Sequence, residues 1–216
     1  MWDFSYQHKL STMRIYLDHA ASTPVLPAVL EEMMPYFIQN YGNPSSTHAE
    51  GRACRAAIEQ ARKQVAKRLG VHPASVVFTS GGTESNNLAI KSCVRKFGIK
   101  RLISSPIEHS CVKATVNSVC MQSAQIELIS LQMLPNGQVD MEHLERVLAD
   151  NPDKAPSMLS LIHAHNELGS INPVAEIARL CQKYDTYFHT DTVQSLHLYD
   201  LNLANTPIHF LLFSWA

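Results

Sequence analysis

The chain has 216 residues, of which 45% are apolar and 17% charged, with a net charge of −1; this is enough to bury the core of one substantial domain. No block of like charge invites a nucleic acid or an acidic surface, and no apolar run approaches the roughly 18 residues that a membrane helix needs. Met1–Arg14 includes Asp3, His8 and Lys9, has no continuous apolar stretch and is poor in Arg. It therefore reads as neither a secretory signal nor a transit peptide, and the expected location is the cytoplasm. The five cysteines (Cys54, Cys93, Cys111, Cys120 and Cys181) are odd in number and form no CxxC pair. That argues against a disulfide framework and a zinc site and favours buried small apolar residues.

Taken in chain order, Pro44–Thr47 reads as a turn, and a helix follows with Cys54, Ile58, Ala61, Val65 and Leu69 on one stripe. Gly70 closes it at the usual C-terminal position. The run Ser75–Thr79 reads as a strand that leads through Ser80-Gly81-Gly82-Thr83 into a helix ending near Phe97. Further strands are expected at Arg101–Ser105, Gln125–Ser130, Ser157–His163 and Thr186–His189, and helices at His109–Ser123, Asp140–Ala149 and Pro173–Tyr184. Pro135-Asn-Gly137 reads as a turn, and Pro173 suits the first helical position, where its missing N–H costs nothing. Strands alternating with helices of this length imply an α/β fold. We expect a three-layer α/β/α sandwich on a mostly parallel sheet with right-handed crossovers.

Ligands in such sheets bind at the carboxyl ends of the strands. Gly81, Gly82 and Thr83 follow the first expected strand, where two small residues let backbone N–H groups approach a phosphate at a helix N-terminus. Alone, a turn of this kind is more often plain structure, and it matches neither the P-loop nor the dinucleotide pattern. Glu108-His109 follows the next strand, Asn166 a later one, and Asp191 and Gln194 the last. Singly, a histidine there is more often a solvated or satisfied ring, and an aspartate more often a helix cap. As a set they offer a phosphate cradle, a flat ring, a carboxylate and two amides. Pyridoxal 5′-phosphate (PLP) needs these groups: donors for its phosphate, a stacking partner, a carboxylate at the ring nitrogen and a donor at the phenolic oxygen.

Six stretches carry a family resemblance: Tyr16-Leu-Asp-His-Ala-Ala-Ser-Thr23, Tyr41-Gly-Asn-Pro-Ser-Ser-Thr-His48, Phe78-Thr-Ser-Gly-Gly-Thr-Glu-Ser-Asn-Asn87, Glu108-His109, His165-Asn-Glu-Leu-Gly169 and His189-Thr-Asp-Thr-Val-Gln194. In this order they resemble the cysteine desulfurases, PLP enzymes of fold type I in the class V aminotransferase-like group. The resemblance implies that His109 stacks on the PLP ring, Asp191 pairs with the pyridine nitrogen and Gln194 bonds the phenolic oxygen. It implies further that Gly82, Thr83 and Ser214 hold the phosphate and that Asn166 helps position the substrate carboxylate. Residues 1–25 would form an N-terminal segment contributing to a small domain or dimer arm, and 26–216 an incomplete PLP-binding large domain.

The family's activity removes sulfur from L-cysteine, leaving L-alanine and an enzyme persulfide for delivery to iron–sulfur assembly or a related route. A homodimer and a sulfur-acceptor scaffold protein are the partners it implies. The chain departs from the family at Ser214-Trp215-Ala216, where a small residue and His-Lys are expected. The Schiff-base lysine and the loop cysteine therefore have no counterpart, and none of Lys91, Lys96, Lys100 and Lys113 suits the lysine's place. On this reading the chain is truncated and inactive alone. The alternatives are a selenocysteine lyase, whose substrate differs by one atom, a non-catalytic fragment that pairs with a full-length desulfurase subunit, and a nucleotide-binding α/β domain.

Overall fold

The computed structural model describes residues 15–214. Its elements are α1 (Pro27–Ile38), α2 (Ala49–Leu69), α3 (Gly82–Phe97), β1 (Arg101–Ser104), α4 (Ser110–Gln122), β2 (Glu127–Ser130), α5 (Met141–Ala149), β3 (Ser157–Ser160), α6 (Val174–Lys183), β4 (Thr186–Asp191) and β5 (Phe210–Leu212). The five strands form one sheet in the order β2-β1-β3-β4-β5. Every pairing is parallel, with Leu102 beside both Leu128 and Met158, and Leu159 beside Phe188.

Two cores sandwich the sheet. On one face Ile103, Leu159, Leu161 and Phe188 meet Leu144 and Leu148 of α5 and Ile177 and Cys181 of α6. On the other, Leu102 and Met158 meet Ile90 and Cys93 of α3 and Val112 and Val116 of α4. The alternation of side chains along each strand divides Leu102 from Ile103 and Met158 from Leu159, so both faces are apolar, as a sheet covered on two sides requires. Burying each of the Val, Leu, Ile, Met and Phe side chains among them stabilises the fold by about 1.5–3 kcal/mol. The three-layer expectation is met, and no described helix is long and apolar enough to cross a membrane.

Most elements lie where the residue pattern puts them, with instructive shifts. Gly70 closes α2 in the left-handed region at φ 68°. Pro173 stands one place earlier than expected, as the N-cap of α6. β4 runs on to Asp191 because Thr190 and Asp191 pair with Leu211 and Leu212 of β5. β3 ends at Ser160 as a strand, yet Leu161 N–H and His163 N–H go on bonding to His189 and Asp191 carbonyls.

One expected strand is absent from the sheet. Ser75 closes a short 3₁₀ turn, and residues 76–79 are unpaired. Val77 is 65% and Phe78 49% exposed. An apolar β-branched run has strand propensity, but propensity needs a neighbour that exchanges backbone hydrogen bonds. Here the Val76 carbonyl is taken instead by the Arg62 guanidinium, which also lies 4.9 Å over the Phe78 ring. Helix α1 went unanticipated; it opens on Pro27, contains Pro35 and buries none of its residues.

Candidate functional site

The site is built where strand ends meet helix starts. Gly81 caps α3 without a side-chain hydrogen bond. The Glu84 carboxylate turns back to Ser80 instead, accepting its N–H and its hydroxyl, both at 2.6 Å, which holds the carboxyl below the usual range. The first N–H groups of α3 therefore have no capping side chain, and the helix dipole adds positive potential there. A Cβ at Gly81 would meet nothing within 4 Å, so the space in front is open. A Cβ at Gly82 would come 3.6 Å from Val193 Cγ2 and 4.0 Å from Leu212 Cδ2. This turn thus sits against the carboxyl ends of β4 and β5, although the segment leading into it is not a sheet strand.

Asp191 ends β4 and is 6% exposed. Its Oδ1 accepts the Val193 N–H at 3.1 Å, and its Oδ2 accepts Asn86 Nδ2–H at 2.9 Å. The same Asn86 amide lies 3.4 Å from Cys111 Sγ. Cys111 Sγ in turn is 3.0 Å from His109 Nδ1. His109 is exposed and caps α4, its Nδ1 accepting the Cys111 N–H at 3.3 Å. A neutral ring with Nδ1 accepting carries its proton on Nε2. Three of the residues singled out by sequence, Gly82, His109 and Asp191, thus stand on elements that meet at one end of the sheet.

Beneath them lies a buried polar layer. Glu108 is 2% exposed; its Oε1 accepts the Ser105 hydroxyl at 2.6 Å and the Ile162 N–H at 2.9 Å, while its Oε2 has no partner among the described residues. Burial first, and then the nearby Asp191 charge, push its carboxyl up to about 8, against the pull of those two bonds. His189 is fully buried, with Nδ1 2.9 Å from Ser160 Oγ, and burial pushes the imidazole down to about 4, so it is neutral. Sequence reasoning did not single out Asn86, Cys111 or Glu108 as site residues, although all three lie inside or beside quoted motifs. The available signal was Asn86 itself, a polar side chain on the buried stripe of Ile90 and Cys93.

The other expected site residues are arranged differently. Thr83 is exposed on the first turn of α3, its carbonyl accepting from Asn87. Gln194 does not point freely into the crevice: its amide donates to the Ala20 carbonyl at 3.0 Å, tying the N-terminal segment to the turn after β4. Asn166 is exposed on the loop closed by the Ala164–Ile171 bridge. Ser214 follows β5 two residues beyond its end.

Residues 15–215 match the family model described as Aminotransferase class-V. The chain is 38% identical over 199 residues to "Cysteine desulfurase IscS" of Dictyoglomus turgidum, covering 91% of this chain and 49% of that protein. Among solved structures, a NifS-like protein superposes with a TM-score of 0.87 at 34% identity, over 94% of this chain and 55% of the other. The structure of SspA in complex with cysteine superposes with a TM-score of 0.84 at 36% identity, over 92% and 56%. The chain spans about half the length of the curated relatives it matches.

Proposed function

Because the chain belongs to the aminotransferase class-V family, we propose that it forms the cofactor-binding portion of a PLP-dependent cysteine desulfurase acting on L-cysteine. The observation that carries this reading is the junction of Asp191, Asn86, Cys111 and His109 beside the uncapped start of α3. It offers one anion cradle, one carboxylate and one flat ring, a donor set that fits a phosphorylated pyridine. The cysteine-bound SspA structure and the cysteine desulfurase relative support the choice of substrate. A homodimer and a sulfur-accepting scaffold protein belong to the same reading, as does a cytoplasmic location.

When bound, PLP supplies an electron sink for the substrate carbon. The chain's own groups would do the rest. The N–H groups at Gly82 and Thr83 and the Ser214 hydroxyl would take the phosphate. The Asp191 carboxylate would hold a proton on the ring nitrogen, and His109 would cover one ring face. Gln194 would donate to the phenolic oxygen, for which its amide must leave the Ala20 carbonyl it holds in this structure. Asn166 would orient the substrate carboxylate.

The test is PLP titration of the purified chain, followed by absorbance. Binding is expected on the order of tens of micromolar. Asp191→Ala should weaken it about tenfold, the value of one charge-assisted contact. Equal affinity in the two proteins would sink the assignment.

A further inference from the structure

Asn86 is 1% exposed and stands on the same α3 stripe as Ile90 and Cys93, which contribute to the apolar core. An amide in that place costs desolvation free energy that an apolar residue would not. Only part of the cost is offset, since its Oδ1 is buried without a partner among the described residues. What the amide does achieve is one donor group shared between two acceptors: Asp191 Oδ2 at 2.9 Å and Cys111 Sγ at 3.4 Å. Cys111 passes the contact on to His109 Nδ1. With the Val193 N–H on Oδ1, the Asp191 carboxylate has a donor on each oxygen, and its plane is fixed.

We propose that Asn86 is a positioning residue that locks the Asp191 carboxylate and the Cys111–His109 pair to one another through a single side-chain amide. Its consequence for cofactor binding rests on the PLP reading; the lock itself belongs to the cofactor-free chain. Asparagine is suited to it where its neighbours in chemistry are not. Aspartate has the shape but opposes Asp191 with an acceptor, and leucine has no donor at all.

Two measurements test the lock. In cofactor-free chain, iodoacetamide alkylation of Cys111, followed by peptide mass mapping, should slow about fivefold or more in both Asn86→Ala and Asn86→Asp, because the sulfur loses its N–H donor. Asn86→Asp keeps the side-chain volume, and a retained circular dichroism spectrum guards against misfolding. In the second measurement, Asn86→Ala should weaken PLP binding about tenfold in the natural chain but less than twofold in an Asp191→Ala background, the signature of two residues acting as one. Alkylation that is unchanged or faster in both variants overturns the proposal, as does an Asn86→Ala loss that persists undiminished without Asp191. If the natural chain binds no PLP, the functional reading fails while the alkylation measurement still decides the role of Asn86.

Discussion

Glu108 shows how a single buried group writes a pH dependence into the fold. Its carboxyl is pushed up to about 8 from an ordinary 4.5, so between those values the folded chain keeps a proton that the unfolded chain has lost. The folded state binds the extra proton, so stability falls as pH rises through this window, by up to roughly 1.4 kcal/mol per pH unit. Glu108→Gln keeps an acceptor for Ser105 and for the Ile162 N–H and removes the titration. We expect the variant to match the natural chain near pH 5 and to exceed it in urea midpoint at pH 8–9; equal slopes against pH would contradict this. At this scale the sequence put Gly82, His109 and Asp191 near one another because each follows an apolar run. The structure brings all three to one end of the sheet, although the run before Gly82 forms no strand. Asn86 was legible as a polar residue on the apolar stripe of α3, whereas the direction of Cys111 depends on how α4 rotates against the sheet. The Gln194 amide donates to the Ala20 carbonyl, a contact made across the fold that no local pattern records.

Among elements, α2 is terminated by a residue whose choice is steric. Gly70 lies at φ 68°, and a Cβ there would run into the Asn202 side chain. Gly70→Ala should therefore destabilise the chain by about 1–2 kcal/mol, from left-handed backbone strain together with displacement of Asn202. A thermal midpoint unchanged within error would show that the 202 loop simply moves aside. Elements with strong local periodicity, such as α2, α4 and α6, were legible from the residues alone. The Val76–Phe78 run was not, because strand identity is a property of a pair: the same residues that would form a strand beside a partner here lie extended against Arg62. β4 runs past its expected end because it pairs with β5, whereas β3 ends as a strand at Ser160 although its N–H bonds to β4 continue to His163.

At the scale of the molecule, the described residues leave large apolar side chains exposed outside the two cores. Leu26, Phe37 and Ile38 in and around α1 are 68%, 68% and 63% exposed, and Val77 and Phe78 border a groove shared with Ile58 and Arg62. Apolar surface exposed in this way promotes association. We expect the chain to elute above its monomer mass at tens of micromolar in light-scattering chromatography, and the double variant Phe37→Lys with Val77→Lys to shift toward monomer. A natural chain that runs as a monomer at that concentration would remove the argument.

The strand order has a consequence for how the protein is made. Among the described strands β1 is synthesised before the others, yet in the sheet it lies between β2 and β3. A ribosome that has released residues through Ser130 has supplied only one neighbour to β1, and its other edge stays open until Ser160 emerges. At about 5–20 residues per second that interval lasts a few seconds. The Asn86–Asp191 bond closes later still, across 105 residues of chain, so this junction is assembled on a nascent chain in which α3 to α6 and the first three strands have already emerged.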